Sequence, residues 1–167
     1  MRVVLISTYE LGRQPFGLAS PAAWLRAAGH EVTVADLACS PLPRPAVEGA
    51  ELIAFFLPMH TATRLFLRVV ERVRGLNPGA QLCGYGLYAP LNAPLLRRAG
   101  VRAILGGEFE QGLVDLANGV KGAPAISLER QRFLVPDRSG LAPLGAYAQL
   151  VSNGTVQRVG YTESSRG

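Results

Sequence analysis

The sequence predicts an α/β fold, a doubly wound parallel sheet with helices on both faces. Three observations carry that expectation. Short runs of β-branched and aromatic residues alternate with amphipathic stretches over residues 1–120. The runs are continuously apolar, as strands buried on both faces require. The stretches between them open and close on residues that favour helix ends. The length of 167 residues suits one domain with an appendage, and 49% hydrophobic against 17% charged residues is a globular composition.

The elements follow in order. "VVLIS" (Val3 to Ser7) is the first strand. Ser20 as N-cap and Pro21 at the first helical position predict a helix that closes at Gly29, the favoured residue just past a helix end. "EVTVADL" (Glu31 to Leu37) and "ELIAFFLP" (Glu51 to Pro58) are the second and third strands. A longer helix follows His60, with Leu65, Val69, Val73 and Leu76 as its apolar stripe and Arg64, Arg68 and Arg72 as its wet face. Asn77-Pro78-Gly79 stops it. "QLCGYG" (Gln81 to Gly86) is the fourth strand, Asn92 caps the next helix, and Gly100 ends it. "VRAILG" (Val101 to Gly106) is the fifth, followed by a helix buried along Phe109, Leu113, Leu116 and Val120. Beyond Lys121 the rhythm fails, and a proline- and glycine-rich connector able to pack on the domain leads to a last strand, Gln157 to Thr162. The expected division is an α/β domain over 1–120 and a linker with one strand over 121–167.

Five such strands fit a flavodoxin-like, Rossmann-like sheet in the order 2-1-3-4-5, where ligands lie beyond the carboxyl ends at the switch between the first and third strands. Composition narrows what could bind there. The net charge of +5 comes from scattered arginines, which solvate helix faces and outline no nucleic-acid groove. Cys39 and Cys83 make no CxxC and imply no metal site; Cys83, inside a strand, reads as a small core residue. "RVVLIS" is too short for a signal peptide and "LIAFFLP" falls far below the roughly 20 residues of a membrane span, so a cytoplasmic protein with no membrane partner is expected.

The candidate ligand edge combines small residues with aromatic or sulfur side chains. The loop "STYELGRQPFGLAS" is longer than the 2 to 6 or so residues of a minimal strand-to-helix turn. Its Ser7, Thr8 and Tyr9 offer hydroxyls, and Gly12 and Gly17 admit close backbone approach; on the other reading, Tyr9 and Phe16 plug the loop onto the sheet. Leu57, Pro58, Met59 and His60 leave the third strand, with His60 or Thr61 capping the next helix. Gly84 and Gly86 flank Tyr85 ahead of Tyr88, and Gly106 and Gly107 precede Glu108. This suits a large, mostly apolar ligand better than a bare phosphate.

Several occupants are excluded by chemistry. A phosphate-receiving regulator needs acidic residues after strands one and three, where this chain has Ser7-Thr8 and Leu57-Pro58. "YELGRQPFG" lacks the GxGxxG of a dinucleotide site, and no phosphate loop of the GxxxxGK type is present. Neither His30 nor His60 has a Ser elbow or Cys partner, so no catalytic residue is assigned and this segment alone is not expected to be an enzyme.

The stretches "RVVLISTYELGRQPFGLASPAAWLRAAGHEVTVADL", "IAFFLPMHTATRLFLRVVERVRGLNPGAQLCGYGLYA" and "LLRRAGVRAILGGEFEQGLVDLA" resemble the amino-terminal cobalamin-binding domain of B12-dependent radical S-adenosylmethionine proteins, over residues 1 to about 120. The resemblance implies cobalamin (vitamin B12) on the carboxyl edge. It also implies, as partner, a radical SAM barrel whose first strand runs into an "RGC" turn, with its 4Fe-4S iron–sulfur cluster and S-adenosylmethionine. On that reading "VGYTESSRG" ends just ahead of the first cluster cysteine, and the resemblance implies a methyltransferase as the parent protein. Cobalamin domains of the methionine-synthase kind carry DxHxxG after the first strand. The loop here has no histidine, which implies a base-off form without that ligand, its lower face covered by the first and third loops. His60 can face cobalt or the corrin, or cap its helix; Tyr85 and Tyr88 can flank the nucleotide tail or belong to the core. Glu108 and Glu110 can accept from corrin amides or stabilise a helix dipole.

Two other classes fit the same opening. The amino-terminal domain of a two-domain (GT-B-like) glycosyltransferase also often reads strand, glycine-rich loop, helix, "GHEV" and strand. A non-catalytic interaction domain would leave the sheet edge empty, against which the long first loop argues.

Overall fold

Burial on both faces is what the continuous apolar runs are for. The structure, a computed structural model, describes residues 1–120, 124–132 and 134–163. Strands β1 (Arg2–Ser7), β2 (Glu31–Asp36), β3 (Leu52–Phe56), β4 (Gln81–Tyr85) and β5 (Ala103–Gly107) pair in parallel in the expected order. Val3 and Leu5 pack into one core, while Val4 and Ile6, one residue along, pack into the other. Helices α1 (Phe16–Ala27) and α6 (Glu110–Ala117) cover the first face. Helices α2 (Arg44–Gly49), α3 (His60–Leu76), α4 (Tyr88–Leu91) and α5 (Ala93–Arg98) cover the second.

The sheet has six strands where five were expected. Strand β6 (Ile126–Ser127) pairs in parallel with the β5 edge through Gly106 and Gly107, giving the order β2-β1-β3-β4-β5-β6. Two residues are too few to show a period. Helix α2 was likewise hidden by its prolines, with Pro43 as N-cap and Pro45 within the first turn.

Four helix expectations are corrected. Helix α1 starts at Phe16 with Pro15 as N-cap, so Ser20 and Pro21 lie inside it. Tertiary contacts accommodate both. Pro21 has no N–H for the carbonyl four residues earlier, that of Gly17, and the Tyr85 hydroxyl donates to that oxygen instead at 2.8 Å. Ser20, fully buried, donates to Glu110 Oε1 at 2.6 Å, joining α1 to α6. In α3 the buried face is Ala62, Thr63, Phe66, Val70 and Val73, with Leu65, Val69 and Leu76 only half-buried at its margin. Phe66 meets Phe55 edge-on, ring centroids 4.8 Å apart, and that packing sets the rotation. Asn92 makes no side-chain cap for α5; its Nδ2 donates back to the carbonyl of Tyr88, the first residue of α4. Helix α6 stops at Ala117, with Gly119 at φ 73° beyond it, so Val120 is exposed, Leu116 is half-buried, and the buried Phe109 precedes the helix.

Parts of the chain beyond residue 134 bond back to α1 and the β1–α1 loop. Asp137 pairs with Arg26 and its N–H bonds the Ala19 carbonyl. Arg138 donates to Gln14 Oε1 and to the Tyr161 carbonyl, Gln14 donates to the Ala142 carbonyl, and the Ala148 N–H bonds the Gly12 carbonyl. The expected strand from Gln157 to Thr162 is not formed. Gln157 instead closes an exposed antiparallel hairpin, β7 (Leu150–Ser152) with β8 (Thr155–Gln157), turning at Asn153-Gly154 with both φ positive. The "SSRG" ending lies outside the described residues.

Candidate functional site

The β1–α1 loop runs over 8–15, eight residues and shorter than its sequence suggested. Thr8 Oγ1 donates to the Ala62 carbonyl, anchoring the loop to the start of α3. The Arg13 N–H bonds the Glu10 carbonyl, closing a turn in which Leu11 has φ 54° and Gly12 φ 74°. A left-handed leucine is strained, by about 1–2 kcal/mol, and this one is also 52% exposed. Leu11→Gly is therefore expected to leave the unfolding free energy unchanged or raise it by about 1 kcal/mol in urea denaturation, while stripping an apolar wall from the cleft described next.

That cleft, of about 440 Å³, opens at the carboxyl ends of β1, β3 and β5. Leu11, Phe56, Pro58, Met59, Leu87 and Phe109 give it apolar walls. Gly107 completes the β5 side. Arg13, Tyr161 and Glu163 border it from the loop and the returning chain, with the Arg13 guanidinium 4.8 Å from the centre of the Tyr161 ring. Leu87, 64% exposed, stands on the rim.

Glu10 is the one carboxylate of the loop, and it is buried, 6% exposed. Among the described residues its Oε2 has no hydrogen-bond partner. Burial, then the like charge of Glu163, lifts its carboxyl from 4.5 to about 7; Arg13 pulls down and Asp36 adds to the rise. Next to it, at the ends of β1 and β2, Ser7 and Asp36 are register partners. Ser7 Oγ is buried with no hydrogen-bond partner among the described residues, while the buried Asp36 carboxylate and Tyr147 hydroxyl act on each other. Burial raises Asp36 and Tyr147, and the charge of Asp36 lifts Tyr147 further.

Of the residues singled out from the sequence, Pro58, Met59 and Gly107 come together in this cleft. Ser7, Thr8 and Leu57 are buried beside or beneath it. Tyr85 is fully buried, its ring 4.9 Å from that of Phe109 and 5.4 Å from that of Phe56, its hydroxyl on Gly17. Of the two readings of Tyr85, the core one describes its place. Gly84 admits Leu96, Gly106 admits Pro90, and Gly86, at φ 104°, lies against the Leu57 carbonyl, so these glycines make room for protein. Tyr9 and Tyr88 are half-buried away from the lining, and His60 is exposed at the first turn of α3 without a side-chain cap. The Glu108 N–H pairs with Ser127, and Glu110 is buried against Ser20. Glu10, Arg13 and Phe109 were missed as site residues; the available signal was a lone carboxylate inside a switch-point loop.

A second cavity, of about 520 Å³, lies at the opposite edge against Asn77, Gly79, Gln81 and Arg102. Asn77 is saturated there, donating to the Val47 and Ala50 carbonyls and accepting from the Ala80 N–H. Among the described residues no three His, Cys, Asp or Glu side chains stand close enough to hold a metal ion, and no helix is long and apolar enough to cross a membrane.

No protein-family profile matches the chain, and no curated protein matches it. Solved structures do. The chain is similar to a flavodoxin from the domain Archaea, at 16% identity over 73% of this chain and 100% of that one, with a TM-score of 0.51. It is similar to a Burkholderia pseudomallei protein whose name ties it to pilus assembly, at 18% identity over 72% and 89%, with a TM-score of 0.51. A flavodoxin-like domain from Synechococcus matches at 14% identity over 71% and 92%, with a TM-score of 0.50. Likeness at these identities shows the flavodoxin-like fold alone.

Proposed function

We propose that this chain is a cofactor-binding α/β module that takes cobalamin at the carboxyl edge of its sheet, and that its chemistry is completed by a radical SAM domain following residue 167. The observation that carries the reading is the apolar cleft at the switch point, walled by Leu11, Pro58, Met59 and Leu87, with two of these leucines largely exposed. An exposed apolar rim on a sheet edge favours a large ligand face.

The residues present fit part of such a group. At about 440 Å³ the cleft falls within the roughly 300–1,000 Å³ of small-molecule sites. A cobalamin is larger, so much of its surface would need walls from beyond this segment. No histidine stands in the β1–α1 loop and His60 is outside the lining, which agrees with a base-off corrin that takes no ligand from that loop. Leu11, Met59 and Leu87 would hold the macrocycle by apolar contact. Bound cobalamin would supply a methyl-carrying cobalt, while the protein orients it and excludes water.

Spectral titration with hydroxocobalamin, methylcobalamin and flavin mononucleotide tests the reading. Saturable binding of the cobalamins with a base-off spectrum is expected, weakened at least about tenfold by Leu87→Asp, which places a charge on the exposed rim without touching the core. Preferential binding of the flavin, or no cobalamin binding even in a chain extended past residue 167, removes the proposal.

A further inference from the structure

Among the described residues that line the cleft, Glu10 has a buried oxygen whose bonding is incomplete. Glu10 Oε2 is buried and, among the described residues, unpartnered, in a wall whose other members are mostly apolar. A buried acceptor without a donor is rare in a native protein, and in a cleft the missing donor is naturally a ligand's. The surrounding charges say which kind. Arg13 on the same loop is engaged with the Tyr161 ring, while Asp36 at the end of β2 and Glu163 from the returning chain are both carboxylates that act on Glu10. Two acids against one guanidinium make this corner hostile to anions.

We infer that Glu10 is a specificity-determining anchor that accepts an N–H from a ligand carboxamide and turns away carboxylates and phosphates. The inference deepens the proposed function and rests on the same cleft, since a corrin carries carboxamides around its rim whereas a flavin mononucleotide brings a phosphate. An ionised Glu10 takes the N–H in a charge-assisted bond and repels an anion. A protonated Glu10 instead donates to a carboxylate and loses the discrimination. With the carboxyl lifted to about 7, preference for the amide rises with pH across neutrality.

The test binds 2-naphthamide and 2-naphthoate, followed by NMR titration at pH 6 and pH 8.5, to the wild type, Glu10→Gln and Glu10→Leu, with hydroxocobalamin titrated in parallel. The expected wild-type result is a preference for the amide of about tenfold or more at pH 8.5 that shrinks at pH 6. Glu10→Gln should show a smaller preference with no pH dependence, and Glu10→Leu should bind both probes alike. The same amide-to-acid ratio in Glu10→Leu and wild type, or naphthoate bound at least as tightly at pH 8.5, overturns the anchor. Amide preference retained in a wild type that takes no cobalamin, even when extended past residue 167, supports the anchor and removes the cobalamin reading. Cobalamin bound equally well by all three proteins, with no amide preference in any, does the reverse.

Discussion

Tyr85→Ala is expected to lower the unfolding free energy by about 3–5 kcal/mol, measured by urea denaturation, because it empties a fully buried ring site between Phe56 and Phe109. It also removes the hydroxyl that donates to the Gly17 carbonyl, which Pro21 leaves without its helical partner. Tyr85→Phe isolates that second effect. It keeps the ring and strands a buried carbonyl, at a cost of about 1–3 kcal/mol. Gly17 cannot yield to make up the loss: a Cβ there would run into the Phe56 ring. If Tyr85 instead served a ligand, both variants would unfold like wild type and differ only in binding.

Glu10→Gln should abolish a pH dependence of stability. The carboxyl is lifted from 4.5 in the unfolded chain to about 7 in the fold, chiefly by burial. Between these values the native state binds more protons than the unfolded state, so stability falls as pH rises through the window. The penalty is absent below about pH 4.5 and complete above about pH 7, where it amounts to roughly 3 kcal/mol at most. Glu10→Gln carries no such charge and should be the more stable protein at pH 8, the two curves converging toward pH 4.5. Asp36, also raised by burial, leaves a residual slope of the same sign in the variant. Asp137, held down to about 2 first by Ser139 and then by Arg26, acts oppositely and only below its ordinary 3.8. Parallel stability curves for wild type and Glu10→Gln across pH 5–8 would show that Glu10 is not buried as described.

The five main strands were legible because a strand buried on both faces must be apolar throughout, and Val3–Ile6 or Leu52–Phe56 have no other use for such a run. Strand β6 was not, since its two residues are recruited by the Gly106-Gly107 edge and not by their own pattern. Ser20-Pro21 has the local chemistry of a helix start, and only Tyr85, 64 residues beyond Pro21, and Glu110 explain why the pair lies inside one. The edge that holds the cleft was legible from strand order alone. Its contents were less so. Glycines 84, 86 and 106 promised room for a ligand, yet their missing side chains are replaced by Leu96, Leu57 and Pro90. Glu10 was not singled out from the sequence, because the chain that borders its cleft, around Tyr161 and Glu163, returns from the far end of the sequence.

The measurement that bears most directly on the proposed site is a backbone amide NMR footprint of the protein on adding hydroxocobalamin. Shifts are expected to concentrate at Leu11, Met59, Leu87 and Gly107, with the Asn77–Gln81 edge unchanged. Shifts confined to the Asn77–Gln81 edge, or spread evenly over both edges, would contradict it.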